Sequence, residues 1–381
     1  MSEIEVKKRW GQPPWVIDFR PRFELARAAG LIPDEVDVAI VGGGFTGLAA
    51  AACLRRLDST KSVAVFEAET VGAGASGHTG GMCLGETAAG PMPGLGDVLR
   101  GFKKLLRELE VDCDLHLPGA WELARKGPGA KSPIHWNDTG DLHVVKNVRG
   151  GSIDPGKMVS GLARAAEKSG AMIFENARVE SAVFDSPICL RVEGREVRAR
   201  RVLFAVNAQS LELNGLLRHA EPKFTLGLAI EPLTDEQLKS IGLESRKSFY
   251  TVDFPYLWGR LLNTNAVIFG SGLVHLKDWR ELQTLDVETG DARDLMTRLE
   301  NRVHELHPIL RDVKITHKWG GPILINPEWQ PIFSRHPKSA NALVLGAYSG
   351  HGVALSVYLG NWAARVMLGR KKLPEWDVTA A

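Results

Sequence analysis

Three glycines and one acid stand at the spacing that binds the phosphates and ribose of a dinucleotide. Gly42, Gly44 and Gly47 form a Gly-x-Gly-x-x-Gly pattern, and Glu67 follows twenty residues after the last glycine. The first glycine permits a tight turn, the second lets a pyrophosphate approach the backbone, and the third lets a helix pack closely on a strand. A carboxylate at this distance suits the ribose hydroxyls. The pattern therefore predicts an ADP-containing dinucleotide.

The elements around these residues are those that such a site requires. Residues 38–41 form an apolar, partly β-branched run typical of a buried strand, and an Ala/Leu-rich helix follows the glycines. Residues 62–66 predict a second strand that ends at the acid. The helix start offers N–H groups and a positive dipole end to phosphates. A membrane span over residues 38–54 is the weaker reading, because its length is at the lower limit and five of its residues are glycine or threonine.

Two further glycine-rich segments need an explanation. Residues 72–81 hold five glycines, so we expect a loop without helix or strand that contacts the cofactor rather than a free surface loop. Residues 343–352 predict a strand that enters a glycine turn, and residues 353–368 predict an amphipathic helix. A flavin would explain this second helix start, because its pyrimidine edge is anionic when reduced and Gly350, His351 and Gly352 could contact it. NAD alone would leave the segment unexplained.

Composition excludes several classes of partner. The chain of 381 residues has 24% charged and 44% hydrophobic residues and a net charge of +2, which is ordinary for a globular protein and gives no reason to expect nucleic acid or an anionic membrane. Its four cysteines form no Cys-x-x-Cys pair, and His304-Glu-Leu-His307 is not a metalloprotease motif, so we predict no metal. The amino-terminal segment has no apolar signal region, so we expect a cytoplasmic protein.

The remaining patterns predict an α/β protein with two domains. Asp154, Pro155 and Gly170 have the residue types of a helix cap, first turn and C′ position. Strands are expected at residues 171–174, 202–206, 224–231, 248–253 and 266–269, and helices near 23–29 and 291–307. We expect a Rossmann-type FAD-binding domain with an inserted α+β substrate domain on a mixed or antiparallel sheet. The predicted bounds are 1–35 for an amino-terminal arm, 36–85, 150–215 and 320–375 for the FAD domain, and 86–149 and 216–319 for the substrate domain.

Taken in order, these motifs make the sequence similar to FAD-dependent oxidoreductases of the D-amino acid oxidase type. The matching segments are residues 37–47, 74–81, 154–155 with the following helix, 204–208 and 346–353. The resemblance implies hydride transfer from the carbon next to an amine nitrogen to flavin N5, and hydrolysis of the resulting imine by water. An amine that binds in its neutral form needs no strong base.

The resemblance also implies cofactor contacts, residue by residue. Gly42, Gly44, Phe45, Thr46 and Gly47 would hold the pyrophosphate, Glu67 the ribose, and Val179 the adenine. The residues that would line the rest of the cofactor are Ala68, Ala75, Ser76, His78, Thr79, Gly80, Gly81, Met82, Asn207, Gly346, Tyr348, Ser349, Gly350, His351, Gly352 and Val353. His78 stands where some members bond a histidine covalently to the flavin, but we favour a non-covalent contact. The chain lacks the lysine near residues 267–270 that activates oxygen in one member, so oxygen or another acceptor stays open.

The substrate residues are the least constrained. Tyr256, Trp258, Arg260 and His351 are the candidates for the reaction site, and Arg260 could bind a substrate carboxylate through two hydrogen bonds. Tyr256 and Trp258 could equally be half-buried aromatics, and Arg260 could equally be a surface arginine. Trp319 and Trp329 could flank the same cavity, but we expect them to fill core. The alternatives are a flavin monooxygenase, disfavoured because Gly346-Ala347 lacks an acid, and an FAD-binding assembly protein without turnover.

Overall fold

A computed structural model describes residues 10–21 and 32–376. Within them the helices are α1 Phe45–Leu57, α2 Ala75–His78, α3 Val98–Glu108, α4 Pro155–Lys168, α5 Leu211–Asn214, α6 Asp235–Ser240, α7 Gly290–Leu306 and α8 Gly352–Met367. Two 3₁₀ turns span Trp279–Gln283 and Pro308–Leu310. The helix expected near residues 23–29 lies outside the described residues.

The strands of the amino-terminal half are β1 Glu35–Val41, β2 Val63–Phe66, β3 Met82–Leu84, β4 Ala120–Ala124, β5 Ala130–Lys131, β6 His143–Val148, β7 Gly150–Ser152, β8 Met172–Phe174 and β9 Val179–Val183. Those of the carboxyl-terminal half are β10 Ile188–Val192, β11 Arg195–Phe204, β12 Glu221–Pro232, β13 Ser248–Thr251, β14 Trp258–Leu261, β15 Ala266–His275, β16 Ile315–Ile325, β17 Ile332–His336 and β18 Ser339–Gly346.

The first sheet contains the predicted nucleotide-binding strands. Its order is β17-β18-β11-β1-β2-β8, and β10 and β9 extend from β11. Strands β18, β11, β1, β2 and β8 run parallel, so their carboxyl ends share one edge. Ligands of open parallel sheets bind at this edge. The sheet therefore places the end of β1, Glu67 and the loop after β18 together.

Alternation along β1 explains why both faces of this sheet are covered. Val38 and Ile40 pack against α1, α4 and α8 on one face, while Ala39 and Val41 contribute to a second core on the other. Helix α1 is buried from Phe45 through Leu54, because it lies between the sheet and its neighbours α4 and α8. Asp154 caps α4 by accepting a hydrogen bond from the Lys157 amide at 2.8 Å, as predicted.

The second sheet is mainly antiparallel, in the order β16-β12-β15-β14-β13-β4-β6-β5, with one parallel pair between β4 and β13. A third sheet consists of β3 and β7. The expected combination of a Rossmann-type sheet with a mixed sheet is thus present. The domain boundaries stay a prediction, and β16 runs from Ile315 to Ile325 across the boundary expected at residue 320.

The described part of the amino-terminal arm contacts β16 of the second sheet and helices α2 and α4. Gly11 forms an antiparallel bridge with Trp319 of β16, and the Gln12 amide donates to Lys318 O at 3.1 Å. Farther along, Trp15 Nε1 donates to Gly77 O of α2 at 2.7 Å. The Asp18 amide donates to Ser160 Oγ of α4 at 2.9 Å.

Candidate functional site

A cavity of about 1190 Å³ lies between the carboxyl edge of the first sheet and the face of the second. It is lined by both predicted glycine turns, by the segment around α2, and by strands β12 to β16. The predicted site residues on its wall are Gly42, Gly44, Phe45, Thr46, Glu67, Ala68, Ala75, Ser76, His78, Thr79, Gly80, Met82, Val179, Asn207, Tyr256, Trp258, Tyr348, Ser349, Gly350, His351, Gly352 and Val353. Gly47, Gly81, Arg260 and Gly346 lie behind the wall.

The first glycine turn has the geometry that its sequence predicts. Gly42 has φ +109°, and a Cβ there would lie 2.7 Å from Ala205 O. A Cβ on Gly47 would lie 2.0 Å from Gly42 O, so the helix can approach the strand only if residue 47 is glycine. Gly44 is the N-cap of α1, and Gly44, Phe45 and Thr46 face the cavity. The positive end of the helix dipole is therefore directed at this end of the cavity.

Glu67 is held by backbone amides at the end of β2. Its Oε2 accepts from Gly43 N at 2.7 Å and its Oε1 accepts from Glu69 N at 3.0 Å. Burial raises the pKa of this carboxyl above its ordinary value, and the two amide hydrogen bonds oppose that shift. A fixed acceptor at this position fits a ribose hydroxyl.

The glycine-rich segment after Glu67 differs from the expectation in one respect. Residues Ala75–His78 form a single helical turn, α2, where we expected no helix. The turn forms because the Gly77 amide donates to Gly72 O at 2.9 Å, and Ser76 Oγ accepts from Phe45 N at 2.9 Å. Two glycines outside the turn, Gly80 and Gly81, supply the irregular backbone that was predicted.

His78 ends this turn and faces the cavity. Its Nδ1 lies 3.0 Å from Gly74 O, and because a carbonyl only accepts, Nδ1 carries the proton. Trp319 Nε1 donates to His78 O at 3.0 Å. The contact with Gly74 thus fixes the orientation of the ring, and the hydrogen bond from Trp319 of β16 fixes the backbone of His78.

The second glycine turn is built from strained backbone. Ala347, Ser349 and Gly350 have φ of 54°, 49° and 86°. Asn207 Oδ1 accepts from the Ala347 amide at 2.9 Å and so ties this turn to the end of β11. His351 is the N-cap of α8, and burial lowers its pKa, which keeps the imidazole neutral. Left-handed non-glycine residues are costly and concentrate at binding sites.

One hydrogen bond joins the two glycine turns directly. Thr46 Oγ1 in the first turn of α1 lies 2.7 Å from Tyr348 Oη in the turn before α8, although 302 positions separate them. Both side chains are buried. Burial raises the pKa of Tyr348, so its hydroxyl stays protonated. The two turns therefore lie side by side and together form one wall of the cavity.

Of the candidates for the reaction site, the structure brings Tyr256, Trp258 and His351 to the cavity but not Arg260. The ring of Trp258 covers Gly80, where a Cβ would lie 2.4 Å from the indole. Arg260 is only 4% exposed, and its Nε donates to Gly80 O from behind the wall. This placement argues against a contact between Arg260 and a substrate carboxylate, because the backbone of Gly80 and Gly81 lies between Arg260 and the cavity.

The two tryptophans expected in the core differ. Trp319 is buried, at 1% exposure, whereas Trp329 is 44% exposed, so the expectation is wrong for Trp329. Trp329 has φ 58° and its amide donates to Asn326 O, so it belongs to a turn after β16 rather than to a packed element. Both side chains line the cavity.

A polar group on the substrate-sheet side of the cavity was not predicted from the sequence. Tyr250 Oη donates to Glu122 Oε2 at 3.0 Å, and Lys146 Nζ lies 2.7 Å from Glu86 Oε1. The Tyr250 ring meets His351 edge to face at 6.3 Å. Burial, then the Glu122 carboxylate, raises the pKa of Tyr250, so its hydroxyl is a donor and not a base at neutral pH. The placement of Tyr250 in a predicted strand two residues after Ser248 was the available signal.

The mouth of the cavity is fixed by an ionic cluster. Asp138, 2% exposed, accepts from Arg125 Nη2 and, at 2.7 Å, from Arg302 Nε. Arg302 also donates to Tyr256 O at 2.7 Å and to Pro255 O at 2.8 Å. We call Arg125, Asp138 and Arg302 the mouth cluster. It holds the backbone of residues 253–256 in place beside the cavity.

Residues 10–21 and 32–376 contain no group of three or more His, Cys, Asp or Glu side chains placed to hold a metal ion. No helix in this part of the chain combines the length and apolarity needed to cross a membrane.

Comparison with known proteins agrees with the motifs. The family model described as FAD dependent oxidoreductase, DAO, matches residues 37–143 and 143–366. The chain belongs to this family. It is therefore an FAD-dependent oxidoreductase, as the sequence predicted.

Relatives and solved structures cover most of this oxidoreductase. It is 25% identical to γ-glutamylputrescine oxidoreductase of Escherichia coli K12 over 87% of its own length and 84% of the relative. It is 27% identical to a probable oxidoreductase of Rhizobium meliloti over 88% and 84%. Glycine oxidase from Geobacillus kaustophilus shares the fold, with a TM-score of 0.69, 20% identity and coverage of 89% and 96%. L-proline dehydrogenase from P. horikoshii has a TM-score of 0.68 at 15% identity, with coverage of 91% and 97%.

Proposed function

We propose that this oxidoreductase oxidises the C–N bond of a primary or secondary amine or of an amino acid. The carbon next to the nitrogen loses a hydrogen with its bonding electron pair, which FAD accepts, and the nitrogen loses a proton, so that an imine forms. Water then hydrolyses the imine. The relative named for a γ-glutamylated amine and the fold shared with glycine oxidase support this substrate class.

The bond between Thr46 and Tyr348 is the observation that carries the cofactor assignment. It joins the turn suited to a pyrophosphate and the turn suited to a flavin edge in one wall, at 2.7 Å. Packing requires glycine at residues 44 and 80, because a Cβ there would meet Ser76 or Trp258 at less than 3.0 Å, and both residues line the cavity with bare backbone. The residues on this wall, with the buried Gly47, would hold the pyrophosphate and ring of FAD, and Glu67 its ribose.

The rest of the cavity positions the amine and excludes water. Trp258, Trp319 and Tyr256 supply apolar surface next to Gly80, and a dry site strengthens the electrostatic interactions within it. Tyr250 and the neutral His351 can donate or accept a hydrogen bond without acting as strong bases. This arrangement suits an amine that binds in its neutral form, for which positioning is the main requirement.

An anaerobic substrate panel tests the proposal. The purified protein should bind FAD, and the visible absorbance of that FAD should bleach when an amine or amino acid of the right class is added without oxygen. Dithionite serves as the control that the bound FAD can be reduced. Bleaching by dithionite but by none of a broad panel would favour the alternative of an FAD-binding assembly protein. Bleaching by NAD(P)H instead would favour a flavin monooxygenase.

The acceptor and the attachment of the cofactor have separate tests. Reoxidation of the substrate-reduced enzyme in air, compared with reoxidation by a dye, identifies oxygen or another acceptor. Acid precipitation should leave yellow colour in the supernatant, because we propose a non-covalent contact at His78. Colour in the pellet of the unchanged protein, and its loss in His78→Ala, would show a covalent bond instead.

We also place the enzyme in a reducing compartment, the cytoplasm. All four cysteines are unpaired, and three of them are buried. Burial raises the pKa of Cys53 and Cys83 to about 12, which keeps these thiols protonated and unreactive. Fractionation of the native cells with an antibody to the protein tests this location.

A further inference from the structure

Arg260 is a buried guanidinium whose charge has no partner in the mechanism described above. Its side chain is 4% exposed, Nε donates to Gly80 O and Nη1 to Leu261 O at 3.4 Å, while Nη2 has no hydrogen-bond acceptor among the described residues. No carboxylate in the described part of the chain forms an ion pair with it, and its nearest charged influences are Asp154 and Asp114. A buried charge without a counter-ion is strongly unfavourable.

The surroundings of Arg260 keep water away from this charge. The Trp15 indole lies 6.0 Å from the guanidinium carbon. Ile268, its cross-strand partner on β15, is fully buried, and packs with Trp15 and Trp319 in one small apolar cluster. Electrostatic interactions are therefore weakly screened here. Burial lowers the pKa of Arg260 to about 10, so the guanidinium is still charged at neutral pH.

The charge lies directly behind the cavity wall. Gly80 and Trp258 line the cavity, and the Gly80 carbonyl is bound by Arg260 on its other side. A Cβ on Gly81 would lie 2.8 Å from Arg260 Nη2, so the guanidinium touches the backbone of this wall. Gly81 has φ +75° and its backbone closes the space between Arg260 and the cavity.

We propose that Arg260 is a positioning residue that raises the electron affinity of the bound FAD. The proposal rests on the function proposed above, because it requires FAD against Gly80. When two electrons and one proton enter FAD, its charge becomes more negative by one, and a fixed cation behind the wall stabilises that form over the oxidised form. The same guanidinium fixes the Gly80 carbonyl and hence the shape of the wall. Its own charge is offset only when the cofactor is reduced.

The reduction potential of the bound FAD tests this directly. In Arg260→Gln, the equilibrium constant for two-electron reduction at pH 7 should fall at least tenfold, which is a potential lower by about 30 mV. The potential is read against a reference dye while xanthine oxidase reduces the holoenzyme slowly. Arg260→Lys keeps the charge and should retain most of the wild-type value.

Arg125→Gln is the matched control. Arg125 is also a buried arginine, but it is paired with Asp138 and Asp253 and does not touch residues 78–82. Its replacement should change the equilibrium constant by less than threefold. Equal potentials in Arg260→Gln and the wild type, or an equal fall in Arg125→Gln, would overturn the proposal.

Arg260→Lys carries the test if Arg260→Gln yields no folded holoenzyme. A buried lysine has a lowered pKa. The potential of this variant should therefore fall more steeply than that of the wild type between pH 7 and 10, as its ammonium loses the proton. Parallel pH dependences would contradict the role of the charge. A protein that binds no FAD at all would instead refute the proposed function, and the two failures are thus distinguishable.

Discussion

At the scale of single residues, the hydrogen bond between the hydroxyls of Thr46 and Tyr348 links the two glycine turns. Its removal shows how much FAD binding depends on this link. Tyr348→Phe removes the hydrogen bond to Thr46 and leaves the ring in place. A buried neutral hydrogen bond contributes about 1 kcal/mol, so we expect the dissociation constant of FAD to rise about fivefold. Fluorescence titration of the apoprotein with FAD provides the measurement. Thr46→Ser keeps a hydroxyl and is the control; equal affinities for wild type and Tyr348→Phe would contradict the assignment.

His336 is the residue from which we expect a pH effect on stability. It stacks on Phe184 at 4.1 Å, its Nδ1 accepts from Lys338 N, and its Nε2 lies 3.2 Å from Leu213 O. Burial lowers its pKa from 6.5 to about 4. The unfolded chain then binds the extra proton, so the stabilisation is complete above pH 6.5 and is lost as the pH falls towards 4.

We expect this loss to be about 2 kcal/mol between pH 7.5 and pH 5, because pH 5 lies above the folded pKa of about 4 and only part of the shift is expressed there. The urea midpoint of the holoenzyme at pH 7.5 and pH 5 gives the measurement. His336→Gln, which does not titrate, should show a smaller difference between the two pH values. An identical difference in both proteins would show that other groups cause it.

Among single residues, the sequence predicted backbone roles better than side-chain directions. Gly42 and Gly47 could be assigned because a turn and a close approach depend on local spacing alone. Arg260 could not, because Trp258 and Arg260 alternate correctly for one face of a strand, yet only Trp258 reaches the cavity. Which of two such residues meets the cavity depends on where the Gly80 backbone crosses the strand, and that contact joins segments 180 residues apart.

At the scale of elements, the packing of α1 on β1 depends on one missing methyl group. Gly47→Ala would place a Cβ 2.0 Å from Gly42 O, a backbone atom that cannot move without the turn. We expect the dissociation constant of FAD to rise at least 100-fold in this variant, or the variant to be insoluble. Gly74→Ala is the control, because its φ is −81° and its nearest neighbour would lie at 3.9 Å. Retained colour and affinity in Gly47→Ala would refute the packing argument.

Elements with an apolar run or a helical period could be predicted, including the three-residue strand β8, whereas other short elements could not. The strand expected at residues 38–41 is the buried half of Glu35–Val41, and the helix expected at residues 291–307 is Gly290–Leu306. The first is a continuous apolar run and the second has a helical period of hydrophobic residues. Strands Met82–Leu84 and Gly150–Ser152 pair with each other and have three residues each, and Ser152 also bridges to His116, so nothing local distinguishes them from a loop. The turn Ala75–His78 depends likewise on contacts with Gly72 and Phe45.

At the scale of the whole molecule, the mouth cluster joins three distant parts of the chain. Asp138→Asn removes the anion shared by Arg125, which keeps Asp253, and by the part-buried Arg302. Breaking a fully buried pair costs about 3–5 kcal/mol, so we expect a cost at the lower end of that range. We expect a lower urea midpoint and faster proteolysis between residues 252 and 257. The KM for the amine should rise more than kcat falls, because Tyr256 loses its support.

Arg280→Gln is the control for this prediction, since Arg280 forms exposed pairs with Glu212 and Asp278 that contribute little. A wild-type midpoint in Asp138→Asn would show that the cluster does not hold the mouth. At this scale the order of the motifs indicated the family and the two sheets, whereas no pattern at Arg125, Asp138 or Arg302 indicated that these residues meet.

The attachment of the amino-terminal arm has a consequence for how the protein is handled. Residues 10–12 bond to the outer edge of β16, an eleven-residue strand at the end of its sheet. Unprotected strand edges pair with other molecules. A shortened protein that starts after Trp15 should therefore self-associate at concentrations where the full chain stays monodisperse in light scattering. Affinity tags are accordingly better fused to the carboxyl end.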